Sequence, residues 1–369
     1  MLRERLRNRV NQSRRWTGSL ARVAFARNIQ GSNSIEGYNV TVEDAIAAVE
    51  GEEPLDAKEE TWLAVTGYRK AMTYVLERAK DEHFIYGAEV FRGLHFMMID
   101  YDLSKRPGRW RQGVVFVRNE KDEIVYEPPD VDSVPMLMDE LVDVLNQKPP
   151  VPMLVRAAMG HLNLALIHPF ADGNGRMARC LQTLVLARDG MLAPEFSSIE
   201  EYIGRNRQAY YDVLQYTAAG HWQPHAETRA WLRFCLTAHY RQAMTVLRRV
   251  REIERLWDEL DVLIRTHHLP DRTIMALSDA SFGLHVRNSL YRAQAQISDF
   301  VASRDLKLLV EVGLLLPVGE RRGRYYRGAE GLQRIRLAVK EPTQIPDPFD
   351  LRSDELNAFS NEQRQLSAQ

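Results

Sequence analysis

Twelve consecutive residues, His168-Pro-Phe-Ala-Asp-Gly-Asn-Gly-Arg-Met-Ala-Arg179, place an imidazole, a carboxylate, a glycine-bracketed asparagine and two guanidinium groups in one short run. Pro169 disfavours helical backbone at His168, so a helix arriving from the N-terminal side ends there with the imidazole at its exit. Gly173 and Gly175 let the chain turn tightly around Asn174 and expose backbone N–H groups at the start of the next helix. Arg176 and Arg179, three apart, project from one face of that helix. Amides and arginines together make a polyanion site, and phosphates are its natural guests. Asp172 would repel them unless a hard divalent cation such as Mg²⁺ bridges carboxylate and phosphate oxygens. A metal-bound nucleotide resolves the conflict. His168, with an ordinary pKa near ~6.5, is then placed to take a proton from an attacking hydroxyl, a role worth roughly 10²–10⁴ in rate. The reaction class is transfer of a phosphate-containing group. A polar interhelical loop with surface ion pairs explains any one of these residues, but not so many complementary roles in one loop.

The elements that must hold this run are helical. Apolar periodicity predicts helices over 57–80, 88–99, 133–147, 152–167, 174–188, 200–218 and 225–266, and Thr41-Val-Glu-Asp44 reads as a capped helix start. One interruption lies between Pro107 and Pro129, where RWRQGVVFV and IVYE are β-rich and predict a hairpin with a long turn. A lone hairpin is marginal alone, so it should lie against the helical body. Pro270 stops the last long helix and predicts a boundary near 267. Beyond it come short helices, then a strand, a basic turn and a second strand. From Val286 to Arg327 eight Lys/Arg face four Asp/Glu. The tail from 336 to 369 is polar and proline-containing and is expected to be poorly ordered.

HPFADGNGRMAR resembles the motif His-Pro-Phe-x-Asp/Glu-Gly-Asn-Gly-Arg-x-x-Arg of Fic-domain proteins and matches every specified position. The resemblance implies a mainly α fold: a Fic helical core with a β-hairpin flap, here with a C-terminal winged-helix domain. It divides the chain into an N-terminal helical region (1–55), a core with its following long helix (56–266), a winged helix-turn-helix (267–335) and the tail. Most Fic enzymes transfer AMP from ATP to a protein Ser, Thr or Tyr hydroxyl. Carried over, His168 is the general base, Asp172 the Mg²⁺ ligand, and Gly173, Asn174 and Gly175 the anion hole. Arg176 and Arg179 bind the β/γ-phosphates. The segment 109–127 looks like the flap, with Phe116, Val117 and Arg118 as candidates to cover the nucleotide. Tyr210 and Tyr211 match the positions that border the adenine.

Upstream, Ser32-Asn-Ser-Ile-Glu-Gly37 matches the family's inhibitory pattern Ser/Thr-x-x-x-Glu-Gly/Asn at Ser32, Glu36 and Gly37. Gly31 and Gly37 would bracket a short helix with Gly37 at its C′ position. Glu36 then lies at a helix C-terminus, where the dipole disfavours its charge and a cation is needed. The resemblance makes Arg179 that cation, so Glu36 would occupy the arginine meant for the γ-phosphate. Two rival functions remain at this stage. One is a de-AMPylating hydrolase in which Glu36 orients a water; the other is a DNA-binding regulator using the core as a nucleotide sensor.

In the C-terminal region, Ser298 is expected to cap a recognition helix with Leu306 and Leu309 buried and Ser303, Arg304 and Lys307 exposed. The turn carrying Arg321, Arg322 and Arg324 would be the wing, and duplex DNA the partner. His161 is expected to be a core histidine, and His267-His268 a solvated linker. Lys plus Arg at 49 against Asp plus Glu at 50 gives a formal charge of −1, so no global field recruits nucleic acid or membrane. Cys180 and Cys235 lie in apolar segments without metal spacing and are expected to be reduced. With no apolar signal or membrane-length run, a cytoplasmic protein is the expectation, and the Fic resemblance implies a homodimer.

Overall fold

A computed structural model describes residues 2–10, 14–54, 56–119, 121–147, 150–188, 190, 192–320 and 324–349. In chain order the helices are α1 (Leu2–Val10), α2 (Thr17–Ile35), α3 (Val42–Glu50), α4 (Glu59–Ala79) and α5 (Ala88–Ile99). The short strands β1 (Val117–Arg118) and β2 (Ile124–Tyr126) precede α6 (Val134–Asn146), α7 (Met153–Ile167), α8 (Asn174–Arg188), α9 (Pro194–Ser197), α10 (Glu200–Arg205) and α11 (Arg207–Ala218). Then come α12 (Arg229–Thr266), α13 (Ile274–Ser281), α14 (Asn288–Ala295), α15 (Asp299–Glu311), β3 (Leu315–Val318), β4 (Tyr325–Gly328) and α16 (Glu330–Ala338). No described helix is long and apolar enough to cross a membrane.

Helix α8 is the axis of the core. Its residues from Arg176 to Ala187 are all buried, with the polar Arg176, Arg179, Gln182 and Thr183 among the apolar ones. Helices α4, α5 and α7 pack around it through Val65, Tyr68, Leu94, Met98, Leu164 and Leu181. A second core gathers Val246, Val250, Leu256 and Leu260 of α12 with Leu6 of α1, Leu277 of α13 and Leu306 of α15. Helix α2 belongs to both: Leu20 and Ala24 sit in the second core, Phe25 and Ile29 in the first. Both cysteines are free and buried.

Two sequence expectations change. Gly31 does not bound a helix; it lies inside the 19-residue α2. A Cβ there would stand 2.5 Å from the Glu200 carbonyl oxygen, and one at Gly204 would stand 2.7 Å from the Gly31 Cα. These two glycines let α2 and α10 touch backbone to backbone. The hairpin is also shorter than its β-rich sequence suggests, because Arg111 is stitched to the motif loop instead of to a partner strand. The Arg111 N–H donates to Pro169 O, and its guanidinium donates to the carbonyls of His168, Gly113 and Pro129. What pairs is Val117 with Tyr126 and Arg118 with Ile124, antiparallel.

Of the tail from 336, expected to be poorly ordered, residues 336–349 are described. Its described part lies along the arginine-bearing outer face of α12: Glu341 meets Arg251 and Arg255, its N–H donates to Glu252, and the Arg233 guanidinium sits over the Phe349 ring. Residues 350–369 lie outside the described residues. Near 267 the helix does end, with His267 and His268 in the turn. The second core nonetheless runs across that point, since α1, α2 and α12 pack with α13 and α15.

Candidate active site

His168 is the C-cap of α7, in the left-handed region (φ 52) that ends a helix before proline. Its Nδ1 lies 3.2 Å from Ala165 O. A carbonyl only accepts, so Nδ1 carries the proton and Nε2 presents a lone pair. Burial pulls the pKa down to about 4, against an opposing push from that hydrogen bond, so the base form persists through neutral pH.

The loop that follows is locked from inside. Asn174 Oδ1 accepts from Phe170 N–H and Asn174 Nδ2 donates to Phe170 O, both at 2.9 Å. Its side chain is thus committed to the loop, and only its backbone remains for an anion. Phe170 stacks on His95, with ring centroids 3.8 Å apart. The His95 Nδ1 accepts from Gly108 N–H, so Nε2–H donates to Asp172 O at 3.0 Å. Gly173 has φ 76, and a Cβ there would collide with Ile99 at 2.5 Å, so both backbone and space demand glycine. The first-turn amides of α8 have no intrahelical acceptors.

Arg176 and Arg179 are almost fully buried beside that helix start. Arg176 Nε and Nη1 and Arg179 Nη1 are buried without hydrogen-bond partners among the described residues. Unpartnered buried guanidinium donors are costly unless an anion joins them. Arg179 is already partly engaged by the end of α2: Nε donates to Ser32 Oγ at 2.8 Å, Nη2 to Ser32 O at 3.1 Å and to Glu36 Oε1 at 2.6 Å. Burial opposes the guanidinium charge, but the Glu36 carboxylate, with smaller help from Tyr210 and Tyr68, outweighs it and leaves the pKa above its ordinary value. A Cβ on Gly175 would stand only 2.5 Å from Glu36 Oε1, so the carboxylate rests on the first turn of α8. Gly37, at φ 87, lets the chain turn away after it. Next, Tyr38 lies with its ring under the Arg176 guanidinium, 5.3 Å from the ring centroid.

Asp172 accepts from Gly173 N–H through Oδ1 at 2.6 Å and meets Lys105 Nζ through Oδ2 at 2.8 Å. Burial would raise its pKa; Lys105 more than offsets that and holds the carboxyl below its usual range. The described residues contain no group of three or more His, Cys, Asp or Glu arranged for a metal. A protein cage is therefore not what this site offers a divalent ion. One carboxylate beside unpartnered phosphate-type donors fits an ion shared with a nucleotide, the usual manner for Mg²⁺.

The remaining predicted residues divide. Tyr210 is buried and its hydroxyl meets His161 Nε2 at 3.0 Å, in a chain that continues from His161 Nδ1 to Gln182 and on to His239. It packs the wall behind Arg179, 5.9 Å from ring centroid to guanidinium. Tyr211, part-exposed, donates to Ile35 O at 3.1 Å and ties α11 to the end of α2. Phe116 is exposed beside the hairpin, Val117 packs against the cluster of Leu162, Leu166 and Tyr126, and Arg118 turns back to Asp122 O. Ser303, Arg304, Lys307 and Arg324 are exposed in the C-terminal region, far along the chain from the motif; Arg321 and Arg322 lie outside the described residues. Sequence reasoning missed His95, Lys105, Arg111 and Tyr38. No local spacing marks them, since each acts on a partner distant in the chain.

Fold and site together define a helical scaffold around a buried, arginine-lined anion site with a neutral imidazole at its rim. Residues 87–186 match the sequence model of the Fic/DOC family. A protein adenylyltransferase Fic of Nematostella vectensis is 28% identical over 219 residues, which are 57% of this chain and 46% of that protein. One of Aedes aegypti is 26% identical over 207 residues, 54% of this chain and 38% of that protein. The match thus spans less than half the length of these curated relatives. Among solved structures, a Fic family protein of Desulfovibrio desulfuricans G20 superposes with TM-score 0.53 at 24% identity, covering 85% of this chain and 89% of that one. A Fic domain protein of Bacteroides thetaiotaomicron gives 0.56 at 20% identity, covering 68% and 97%. The architecture is that of the Fic fold.

Proposed function

We propose that this protein transfers AMP from ATP to a protein Ser, Thr or Tyr hydroxyl and is held off by its own Glu36. The observation that carries the reading is the Arg179–Glu36 contact, a carboxylate seated on the first turn of a helix whose arginines keep unpartnered donors. Such a site is built for an anion that is not the protein's own. With phosphates on Arg176, Arg179 and the α8 amides, the α-phosphorus would lie toward His168. The target hydroxyl oxygen attacks that phosphorus, His168 Nε2 takes the hydroxyl proton, the bond to the β-bridging oxygen breaks and pyrophosphate leaves. A divalent ion on Asp172 would neutralise phosphate charge. The name carried by the relatives, protein adenylyltransferase, supports the same chemistry. De-AMPylation, in which Glu36 would orient a water, fits less well because Glu36 Oε1 is spent on Arg179. Incubation of the Glu36→Gly protein with Mg²⁺ and a panel of nucleotides, followed by intact mass, should show an added AMP with ATP. The His168→Ala version of the same variant should show none, and an adduct that survives this change refutes the reading.

The C-terminal elements support a second role. The order α13, α14, α15, β3, β4, with Val286 bridged to Tyr326 as a third short strand, suits a winged helix-turn-helix. Ser298 caps α15 at Val301 N–H, and Asp305 is consumed by Arg272 and Tyr291, which leaves Ser303, Arg304 and Lys307 on the outer face. Duplex DNA is the partner such a face fits. Fluorescence titration of a labelled duplex should give binding that weakens steeply with salt; binding unaltered by Arg304→Ala/Lys307→Ala would remove α15 from the interface.

A further inference from the structure

Lys105 ends the single 3₁₀ turn Leu103–Lys105, which Asp102 caps through Ser104 N–H. Its ammonium makes its close contact with Asp172 Oδ2 at 2.8 Å, with the Tyr38 hydroxyl at 3.5 Å and Asp102 at 3.9 Å beyond it. The other carboxylate oxygen of Asp172 is held by Gly173 N–H. A hard divalent ion bonds carboxylate oxygen at about 2.1 Å, so an ion on Oδ2 would stand within a few ångströms of an ammonium on the same oxygen. Like charges that close repel strongly at a part-buried site. Ion and ammonium therefore exclude one another. The lysine can leave without refolding anything, because its four-carbon stem is flexible and a second carboxylate waits on its own turn.

We infer that Lys105 is a resident counter-cation of Asp172, one that the divalent ion must displace and that keeps the ion weakly bound until a nucleotide adds phosphate oxygens to its shell. The inference rests on the reading of Asp172 as the metal ligand. The same residues join it to the inhibitory segment: Tyr38, two residues after Glu36, covers Arg176 with its ring and reaches Lys105 with its hydroxyl. Glu36, Tyr38 and Lys105 thus cover Arg179, Arg176 and Asp172 in turn.

The test is Mn²⁺ binding to the full-length, nucleotide-free protein, read from the free Mn²⁺ signal in electron paramagnetic resonance. Lys105→Met, which keeps length and removes charge, should tighten Mn²⁺ by about two- to fivefold, the range a part-exposed ion pair is worth. Lys105→Arg should stay near wild type. Equal or weaker Mn²⁺ binding by Lys105→Met overturns the role given to Lys105. A Lys105→Met/Asp172→Asn protein that still binds Mn²⁺ as well as Lys105→Met fails the metal-ligand reading itself, and the two failures are told apart by which variant reports them.

Discussion

Replacing Glu36 by glycine removes one contact of Arg179 and leaves two, since Ser32 still accepts from Nε and Nη2. A hydrogen bond to a charged group contributes about 1.5–3 kcal/mol net. Glu36 is 26% exposed, which places this one toward the lower end. A value of about 1.5–2 kcal/mol corresponds to roughly a 10–30-fold larger fraction of protein with Arg179 free for phosphate. The initial rate of AMP incorporation from ATP labelled at the α-phosphate should therefore rise by about that factor. A second observable moves the other way. Without nucleotide the buried guanidinium loses its counter-charge, so the melting temperature of the variant should fall by a few degrees, and Mg²⁺-ATP should raise it more than it raises wild type. Glu36→Gln keeps an acceptor without the charge and should fall between the two in rate. Equal rates for wild type and Glu36→Gly, both folded by circular dichroism, would refute the reasoning. So would a glutamine variant faster than the glycine one.

Glu200 is buried beneath the α2–α10 contact, where burial raises its pKa to about 7 despite the Tyr68 hydrogen bond. A raised carboxyl contributes least when ionised, so stability is lost as pH climbs from the unfolded value near ~4.3 through about 7. Glu200→Gln should then gain melting temperature over wild type more at pH 8 than at pH 5, and a difference independent of pH would count against it. For His168 the folded pKa of about 4 keeps Nε2 unprotonated well below neutrality. The Glu36→Gly rate should hold from pH 8 to about pH 5.5 without a step at the ordinary histidine value of ~6.5; such a step would mean that the reacting imidazole is solvated.

Most of the core helices were legible because each carries its own amphipathic period, and the motif was legible because its chemistry is written in neighbouring residues. His168 at a helix exit, glycine at 173 and arginines at one helix start all follow from local backbone rules. Gly31 was misread for the same reason. Glycine inside a helix and glycine after one look alike until the backbone of Glu200 is seen pressing against it. Lys105 and His95 left no trace in spacing because their partners, Asp172 Oδ2 and Asp172 O, arrive from 67 and 77 residues away. Arg111 shows the converse: a β-rich run whose arginine prefers the carbonyls of the motif loop loses its strand to them. The contacts of the tail's first residues were not legible because composition does not say which charges await a segment on another helix, as Arg251 and Arg255 await Glu341.

Helix α2 holds Glu36 at one end. Near the other, Arg22 grips Asp279 of α13 at 2.6 Å, with both side chains nearly buried, and Ser19 touches Met275. Glu36 lies fourteen residues beyond Arg22, about 21 Å along the rod. The same helix thus holds the α13 contact near its start and the Arg179 contact at its end. The Arg179 bond tolerates less than an ångström of slack before it ceases to be a hydrogen bond. One rigid element therefore carries contacts to both the motif helix and the C-terminal elements, and α2 is the piece of structure that the two share.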